Sequence, residues 1–254
     1  MVELCDSAMN PRWPIPDSVG CLISLRGGGV SEGPFASNNL ARHVGDNDAH
    51  VLENRERLKQ LGGYPAEPLW LHQVHGTDVV YAPDCSAGVT ADGSFSDKPG
   101  VVCAVLTADC LPVMLCSAVG DQVAAVHAGW RGLCAGVLRS AVARFSSDSV
   151  IMAYLGPAIG RQAFQVGAGV KAAFTANAIS DEHRASLEAA FVPCFQRSGF
   201  YRADLYSLAR TELDRLGVKH IFGHEHCTVT DTTQCYSYRR DSNTGRHASI
   251  IWIK

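Results

Sequence analysis

Three apolar runs rich in β-branched residues follow one another in the middle of the chain, with the sequences VVCAVLTADC, LPVMLCS and QVAAVHAG. Runs of this length without polar alternation are typical of strands that are buried on both faces. The connection SAVGD between the second and third runs is short and contains a glycine. It therefore predicts that these two strands pair as an antiparallel hairpin.

Leucines at helical spacing mark the clearest helix, over residues 204–216, and Gly217 ends it. Residues 48–61 also have a helical pattern, with Asp48 as the predicted N-cap and Gly62 as the stop. Further helical patterns cover residues 130–145, 166–176 and 181–190.

Other strand patterns lie near both ends of the chain. CLISLRG predicts a first strand that runs into three glycines, and PLWLHQVHG predicts a strand that ends in a turn. QCYSYRR and RHASIIWIK flank the turn-forming segment DSNTG and predict a final hairpin. Because strands and helices intermix without regular alternation, we expect one α/β (α+β) domain with mixed, largely antiparallel β-sheets flanked by helices.

Composition narrows the class of protein. The 254 residues are 46% hydrophobic and 19% charged, with a net charge of -3, so nothing indicates a nucleic-acid or anionic-membrane partner. No apolar run approaches the roughly 18 residues needed to cross a bilayer, and the N-terminus lacks a secretory pattern. We therefore expect a cytoplasmic protein. Its ten cysteines should then be reduced thiols, and they include no C-x-x-C pair.

The predicted hairpin brings one thiol and one imidazole close together. If Cys116 pairs with Asp121 or Gln122, Cys110 lies opposite His127 or its neighbour. Opposed residues have Cβ atoms about 4.5–5.5 Å apart, so the two side chains could share a metal or form a thiolate–imidazolium pair. Alternatively, both could be ordinary core residues.

A third metal ligand has to come from elsewhere in the chain. His72 and His75 of LHQVHG are candidates, but at this spacing on an extended strand they point to opposite faces. The sequence KHIFGHEHCT offers a competing group, made up of His220, His224, His226 and Cys227. Alternatively, this segment is an exposed polar loop before a strand.

Two histidines and one cysteine leave a tetrahedral cation with one open position, which is the pattern of catalytic zinc. Blue copper sites use the same ligands together with a weak axial methionine. Met114, four residues along the strand from Cys110, is too far away to take that place. Zinc is therefore favoured over copper.

Several arginines could bind an anionic substrate group. Arg26 follows the first strand and Arg131 follows His127, while three more lie in the predicted C-terminal hairpin, namely Arg239, Arg240 and Arg246. Because Arg239 and Arg240 are adjacent, they should face opposite sides of a strand, so only one of them is expected to point into a site.

The chain resembles a known family through several long segments in the same order. They are QVHGTDV, TADCLPVML, VHAGWRG, GPAIG and CTVTDTTQCYSYRRDSNTGR. These segments resemble the YfiH family, also called laccase-domain or polyphenol oxidase-like proteins. The resemblance predicts a YfiH-like domain over residues 20–254, preceded by an N-terminal extension over residues 1–19. It also implies a fold similar to that of cysteine hydrolases.

The resemblance implies a set of site residues. The metal ligands of the family match His75, Cys110 and His127, and this choice leaves His72 and the HEHC segment outside the site. The family's arginine after the first strand matches Arg26, and its NL segment begins at Asn39. Together with Arg131 and Arg240, these two residues are the predicted substrate-binding residues. Asp109 is the candidate for a proton carrier or for a partner of a metal ligand.

The implied activity is zinc-dependent purine nucleoside chemistry. It comprises phosphorolysis of adenosine, inosine and S-methyl-5'-thioadenosine, with deamination of adenosine as a second reaction. The expected partners are therefore a purine nucleoside and phosphate. Three alternatives are a Cys–His hydrolase or amidase acting on peptidoglycan precursors, a copper polyphenol oxidase (laccase), and a non-catalytic metal-binding protein.

Overall fold

The computed structural model describes residues 7–223 and 226–254. In chain order its strands are β1 (Ala8–Met9), β2 (Val19–Ser24), β3 (Val79–Tyr81), β4 (Gly93–Ser96), β5 (Val102–Thr107), β6 (Leu111–Ser117), β7 (Val123–Ala128), β8 (Ile151–Leu155), β9 (Gln165–Gly167), β10 (Phe191–Pro193), β11 (Phe200–Ala203), β12 (His220–Phe222) and β13 (His247–Ile253). Its α-helices are α1 (Asp48–Gly62), α2 (Trp130–Ala135), α3 (Val137–Val142), α4 (Ala168–Ala176), α5 (Asp181–Ala189), α6 (Leu205–Arg215) and α7 (Tyr238–Asp241). No helix within the described ranges is both long and apolar enough to cross a membrane.

The strands form three sheets. A six-stranded sheet has the order β12-β8-β6-β7-β4-β3, a four-stranded sheet has the order β1-β2-β13-β5, and a small sheet has the order β10-β11-β9. The pairs β12–β8 and β3–β4 are parallel, whereas the other ladders are antiparallel. The predicted fold class, with mixed and largely antiparallel sheets flanked by helices, is confirmed.

Alternation along β6 explains why this strand is apolar throughout. Val113 and Leu115 belong to the core that includes Leu133 of α2 and Leu208 of α6. Met114 and Cys116, between and beyond them, pack in a second core with residues of β2, β5 and β13. Because successive side chains of a strand point to opposite faces, the six-stranded sheet is covered by helices on one side and by the four-stranded sheet on the other.

The outer face of the four-stranded sheet carries a third core. Leu22 of β2 and Ile250 of β13 pack there with Leu58 of α1. The molecule therefore has four layers, in the order helices, sheet, sheet and helix. The N-terminal segment joins this arrangement, since β1 pairs with β2 and the Trp13 ring lies 5.6 Å from that of Tyr154.

The central hairpin forms, but its register differs from the prediction. Cys116 pairs with Val123, and Pro112 pairs with His127. The connection is longer than expected because the Ser117 hydroxyl accepts hydrogen bonds from three backbone N–H groups of the turn. Because β6 begins at Leu111, Cys110 directly precedes this strand and lies outside the β6–β7 ladder.

Three predicted helices have boundaries in the structure that differ from the prediction. The helix expected over residues 130–145 is divided into α2 and α3 by Gly136, whose φ of 102° ends the first segment. The prediction of α1 is correct to within a residue at each end, because Asn47 rather than Asp48 caps it and Gly63 with φ 61° ends it. Val166 and Gly167, expected as the start of the helix over residues 166–176, belong to β9 instead, and α4 begins at Ala168.

Two strand predictions were wrong. The segment PLWLHQVHG makes only isolated bridges, at Leu69 and at His72, and its Gln73 amide bonds the backbone of Leu106 instead. The C-terminal segments form no hairpin, because residues 238–241 are the short helix α7 and β13 pairs with β2 and β5 on its two sides. These partners are distant in sequence, so local patterning did not reveal them.

We expect Tyr206→Phe to lower the free energy of unfolding by about 1–3 kcal/mol, since a buried hydroxyl and its hydrogen bonds are lost. This hydroxyl accepts from the backbone N–H of Ala158 at 2.9 Å and lies 3.1 Å from the Gly156 carbonyl oxygen. Urea unfolding measures the change. Tyr201→Phe is the control, because among the described residues no partner bonds its hydroxyl, and equal effects of the two variants would contradict the prediction.

Candidate metal centre

Three possible ligand atoms converge at one end of the six-stranded sheet. The ligand atoms of His75, Cys110 and His127 all lie within 4.8 Å of one another. Cys110 Sγ is 3.6 Å from His75 Nε2, and the two imidazole rings have centroids 4.7 Å apart at an interplanar angle of 72°. Ligands that bind zinc at about 2.0–2.3 Å in a tetrahedron have similar mutual separations. The donor set and its spacing therefore fit a single cation.

The three ligands come from different kinds of local structure. His127 lies near the end of β7, Cys110 directly precedes β6, and His75 belongs to the loop before β3. His75 and Asp109 have positive φ values of 61° and 89°, a conformation that non-glycine residues rarely adopt. The positive φ of Asp109 turns the chain directly before Cys110, whose side chain faces His75. Strained backbone of this kind is characteristic of functional sites.

A buried carboxylate, that of Asp92, connects two of the ligands. Its oxygens accept hydrogen bonds from the backbone N–H groups of Val74, His75 and Gly76 at 3.2, 2.9 and 2.6 Å. Oδ1 also lies 2.7 Å from His127 Nδ1. Asp92 thereby fixes the loop that carries His75 and leaves His127 Nε2 available to a cation, as outer carboxylates do in other metal sites.

Glycines allow the segments around the ligands to approach closely. A Cβ atom at Gly129 would lie 2.7 Å from His75 Cδ2 and 3.0 Å from Cys110 Sγ. A Cβ atom at Gly132 would lie 2.7 Å from the carbonyl oxygen of Gly76. Both distances are shorter than van der Waals contact, so the segment AGWRG needs glycine at these two positions for steric reasons.

The electrostatics of the centre favour an ionised thiol. Burial raises the pKa of Cys110, but hydrogen bonds and positive charge from His127 and His75 outweigh it and lower the pKa to about 6. Burial lowers the pKa of His127, but Asp92 and Cys110 outweigh it and raise the pKa to about 9. The metal-free centre is therefore a thiolate–imidazolium pair at neutral pH, and a thiolate is also the form in which cysteine binds metals.

The ligands open onto a cavity of about 480 Å³. Its walls include three arginines, namely Arg131, Arg239 and Arg246, and the apolar side chains of Leu106, Ala108, Trp130, Ile159, Phe164 and Leu205. A concave site with apolar walls and a few polar groups is typical of small-molecule binding. The centre can thus present a cation to a ligand of modest size.

Comparison with known proteins assigns the family. The family described as multi-copper polyphenol oxidoreductase laccase matches residues 20–254. The chain belongs to this laccase-domain family. Purine nucleoside phosphorylase YfiH of Shigella flexneri is 51% identical over 245 residues, which are 96% of this chain and 97% of that protein. The protein of the same name from Escherichia coli (strain K12) is 50% identical over the same shares.

Solved structures of laccase-domain relatives have the same fold. The crystal structure of Neisseria meningitidis protein NMB0706 is 46% identical and superimposes with a TM-score of 0.90, over 98% of this chain and 99% of that one. Bacillus licheniformis hypothetical protein YfiH is 28% identical with a TM-score of 0.88, over 99% and 98% of the two chains. The resemblance expected from the sequence motifs is therefore confirmed.

Two of the further predicted site residues of this laccase-domain protein line the cavity. Arg131 lies at the cavity wall with its guanidinium 4.5 Å from the Trp130 ring centroid. Asp109 also lines it, but its carboxylate accepts hydrogen bonds from the Thr228 hydroxyl and from the Arg239 backbone N–H, both at 2.6 Å. Since both oxygens are occupied, the geometry favours a positioning role for Asp109 over that of a proton carrier.

The structure keeps the other two predicted arginines out of the cavity. The guanidinium of Arg26 donates to the carbonyl oxygens of Ala36 and Thr232. That of Arg240 donates to the carbonyl oxygens of Thr228, Val229 and Cys235 and pairs with Asp241 at 2.8 Å. Both guanidinium groups hold loops together and neither residue lines the cavity, while substrate binding by these two arginines stays a prediction.

Asn39 is also structural rather than exposed to substrate. It is 0% exposed, and its Nδ2 donates to Ala41 and Asp46 while its Oδ1 accepts from the backbone N–H of Arg246 at 2.9 Å. Asn39 therefore acts on the cavity only indirectly, by holding the backbone of a residue that lines it.

The competing histidine groups lie elsewhere. His72 is exposed, and its ring is 3.3 Å from the Thr90 hydroxyl. His226 is 2.8 Å from Asp231 and belongs with it and Cys235 to a second possible group of ligands. Burial raises the pKa of the Cys235 thiol to about 12 in the metal-free protein. His224 lies outside the described residues.

Sequence reasoning missed Asp92 and His43. Asp92 follows Ala91 in the segment TADG, which repeats the start of TADC around Cys110, and this repetition was the available signal. His43 lines the cavity from the turn Arg42–Val44. Nothing in its local sequence indicates a site, because the residues that face it come from distant segments.

We expect Asp92→Asn to weaken metal binding about 10–100-fold, the range found when outer partners of metal ligands are changed. An amide nitrogen would face the backbone donors that now bond a carboxylate oxygen, and His127 would lose its orienting partner. Competition with a chromophoric chelator measures the affinity. Asp148→Asn, at an exposed carboxylate, is the control, and an Asp92→Asn variant with unchanged affinity and intact fold would refute the role of Asp92.

The metal-free protein should be alkylated at Cys110 with a pH midpoint of about 6. Iodoacetamide reacts with thiolates, so the rate should rise through the pKa of Cys110, well below the ordinary value for a thiol. Peptide mass spectrometry separates Cys110 from the other cysteines, and added zinc should block the reaction. A midpoint near 9 would show that the two histidines do not stabilise the thiolate.

Proposed function

We propose that this protein is a zinc-dependent purine nucleoside phosphorylase acting on adenosine, inosine and S-methyl-5'-thioadenosine, with adenosine deamination as a second reaction. The observation that carries the proposal is the His75, Cys110 and His127 centre at the base of an arginine-lined cavity. Relatives about half identical over nearly the whole chain are named purine nucleoside phosphorylase. Together these findings support an enzyme of the nucleoside-processing type.

The donor set supports zinc as the metal. One thiolate and two imidazoles that leave a fourth position open are typical of catalytic zinc. A blue copper site would use a weak axial methionine, but Met114 is fully buried in β6 with its sulfur 3.1 Å from Cys21 Sγ in the core between the sheets. When bound, zinc supplies a Lewis acid at the open position.

The residues of the chain have separate tasks in this mechanism. Asp92 holds His127 in the orientation in which Nε2 faces the centre. Apolar walls formed by Ile159, Phe164 and Leu205 can exclude water and bury the purine ring. The cavity arginines can hold phosphate in line with the sugar, and positioning of this kind accounts for much of the catalysis of such transfers.

The nucleoside and phosphate alone account for every bond and proton exchanged in phosphorolysis. A phosphate oxygen bonds to C1' of the ribose while the bond from C1' to the purine nitrogen breaks and its electron pair leaves with the base. The proton that phosphate gives up on forming the ester balances the proton that the base gains. Deamination instead adds water at C6 of adenine and releases ammonia.

A Cys–His hydrolase is the second candidate function, and one observation favours it. Cys110, His127 and Asp92 have the order of contacts of a nucleophile, a base and an orienting carboxylate, and the pKa of Cys110 is lowered to about 6. Such an enzyme would need no metal. Metal dependence of the activity therefore separates the two candidates.

The test incubates adenosine with the zinc-loaded protein, with and without phosphate. Adenine should form only with phosphate, and inosine should form without it. Cys110→Ser should lower both rates at least about a hundredfold, since several kcal/mol of metal stabilisation are lost. Cys85→Ser, at a thiol outside the cavity, is the matched control. If neither product forms, the nucleoside assignment is wrong, and full activity after chelation would favour the hydrolase.

A further inference from the structure

Arg246 carries a positive charge into the cavity, and within the described residues no acidic side chain forms a salt bridge with it. Its Nη1 donates to the carbonyl oxygens of Thr244 and Gly245 at 2.7 and 3.0 Å. Within the described ranges its Nε and Nη2 have no hydrogen-bond acceptor, and no carboxylate lies within salt-bridge distance. The residue is half-buried. A partly buried guanidinium with free donors has a large desolvation cost unless an anion joins it.

Asp109, the carboxylate among the described residues that line the cavity, does not bond the Arg246 guanidinium. Asp109 is 8% exposed, and both of its oxygens already accept short hydrogen bonds, from Thr228 and from the backbone of Arg239. Three arginines line the cavity together with this one described carboxylate, and a divalent cation would add further positive charge. The lining therefore favours an anionic ligand.

Arg246 is held in place and is more buried than the other cavity arginines. Its backbone N–H bonds the buried Asn39 side chain, and its guanidinium lies 5.7 Å from the Tyr238 ring centroid. Arg131 and Arg239 are exposed. Within the described residues Arg239 and Arg246 each donate through Nη1 to two backbone carbonyl oxygens, so the two arginines differ in burial rather than in their remaining donors. A fixed guanidinium with two free donors is suited to bidentate binding of an oxyanion.

His43 adds a second donor at the same wall of the cavity. It lines the cavity together with Arg246. Burial lowers the pKa of His43, and the positive charge of Arg246 lowers it further. A neutral imidazole can still donate one N–H to an oxyanion.

We infer that Arg246, assisted by His43, forms the subsite that binds inorganic phosphate beside the metal ligands. The inference rests on the proposed function, because phosphorolysis makes phosphate the second substrate. The same chemistry could recognise the phosphate ester of a nucleotide, and the test below separates the two sources. Arg131 and Arg239, at the rim, contribute less because they are exposed and solvated.

The experiment titrates inorganic phosphate into the zinc-loaded protein and measures binding by calorimetry, without turnover. Arg246→Gln should weaken phosphate binding at least about tenfold, and Arg246→Lys should retain part of the affinity because it keeps the charge but loses the bidentate geometry. Arg57→Gln is the matched control, since Arg57 is an exposed arginine paired with Glu53 on α1. Unfolding midpoints check that each variant is folded.

Each result of the phosphate titration tests the phosphate subsite independently of the proposed phosphorylase activity. If phosphate binds equally well to the wild type and to folded Arg246→Gln, or does not bind to the wild type, the subsite is refuted even if adenine is released from adenosine. If Arg246 affects only the binding of adenosine 5'-monophosphate, the subsite belongs to a nucleotide and the inference is also refuted. An Arg246-dependent phosphate affinity without phosphorolysis would uphold the subsite and contradict the proposed function.

Discussion

The buried carboxylate of Asp92 is the interaction on which the centre depends. It is 0% exposed, so its charge has to be satisfied within the protein. Three backbone N–H groups of the loop before β3 and the ring of His127 satisfy it. These hydrogen bonds outweigh the effect of burial and lower the pKa of Asp92. One ionised group thereby fixes two candidate metal ligands, His75 and His127, that are 52 residues apart.

Pairing of β4, β6 and β7 brings Asp92, Cys110 and His127 to the same end of the six-stranded sheet. Asp92 directly precedes β4, which pairs with β7, and His127 lies near the end of β7. Cys110 reaches the same end because β6 is the other neighbour of β7. Since β6 and β7 are packed on both faces, their ends can shift little, and the cores on either side keep the ligands in position.

Local sequence predicts the helices and strands that a periodic pattern of apolar side chains marks. The helix at residues 205–215 and the three central strands follow from side-chain period alone. The register of the hairpin did not follow, because it depends on how the Ser117 hydroxyl binds the turn. The position of β13 between β2 and β5 depends on pairing over more than a hundred residues, which no periodicity records.

In the candidate site, too, the sequence pattern indicates some residues but not others. The pattern of cysteine and histidine around the hairpin indicates a metal centre, whereas the choice of His75 came from the family resemblance. Arg26, Asn39 and Arg240 lie in matching segments, yet their polar groups hold loops, and sequence alone does not tell such residues from those that contact a ligand. Asp92 was missed because its function exists only when two distant segments meet.

The two candidate functions share one geometry and differ in what occupies it. Without a metal, Asp92 favours the charged form of His127 and His127 favours the thiolate of Cys110, which is the arrangement of a nucleophile and its base. A metal needs the same thiolate but a neutral imidazole, so binding displaces the proton of His127 while Asp92 keeps holding Nδ1. A cation and a proton therefore compete for Nε2 of His127. The arginines that line the cavity add positive charge near this ring, so an anion bound there would meet positive charge in the imidazolium state as well as in the cation-bound state.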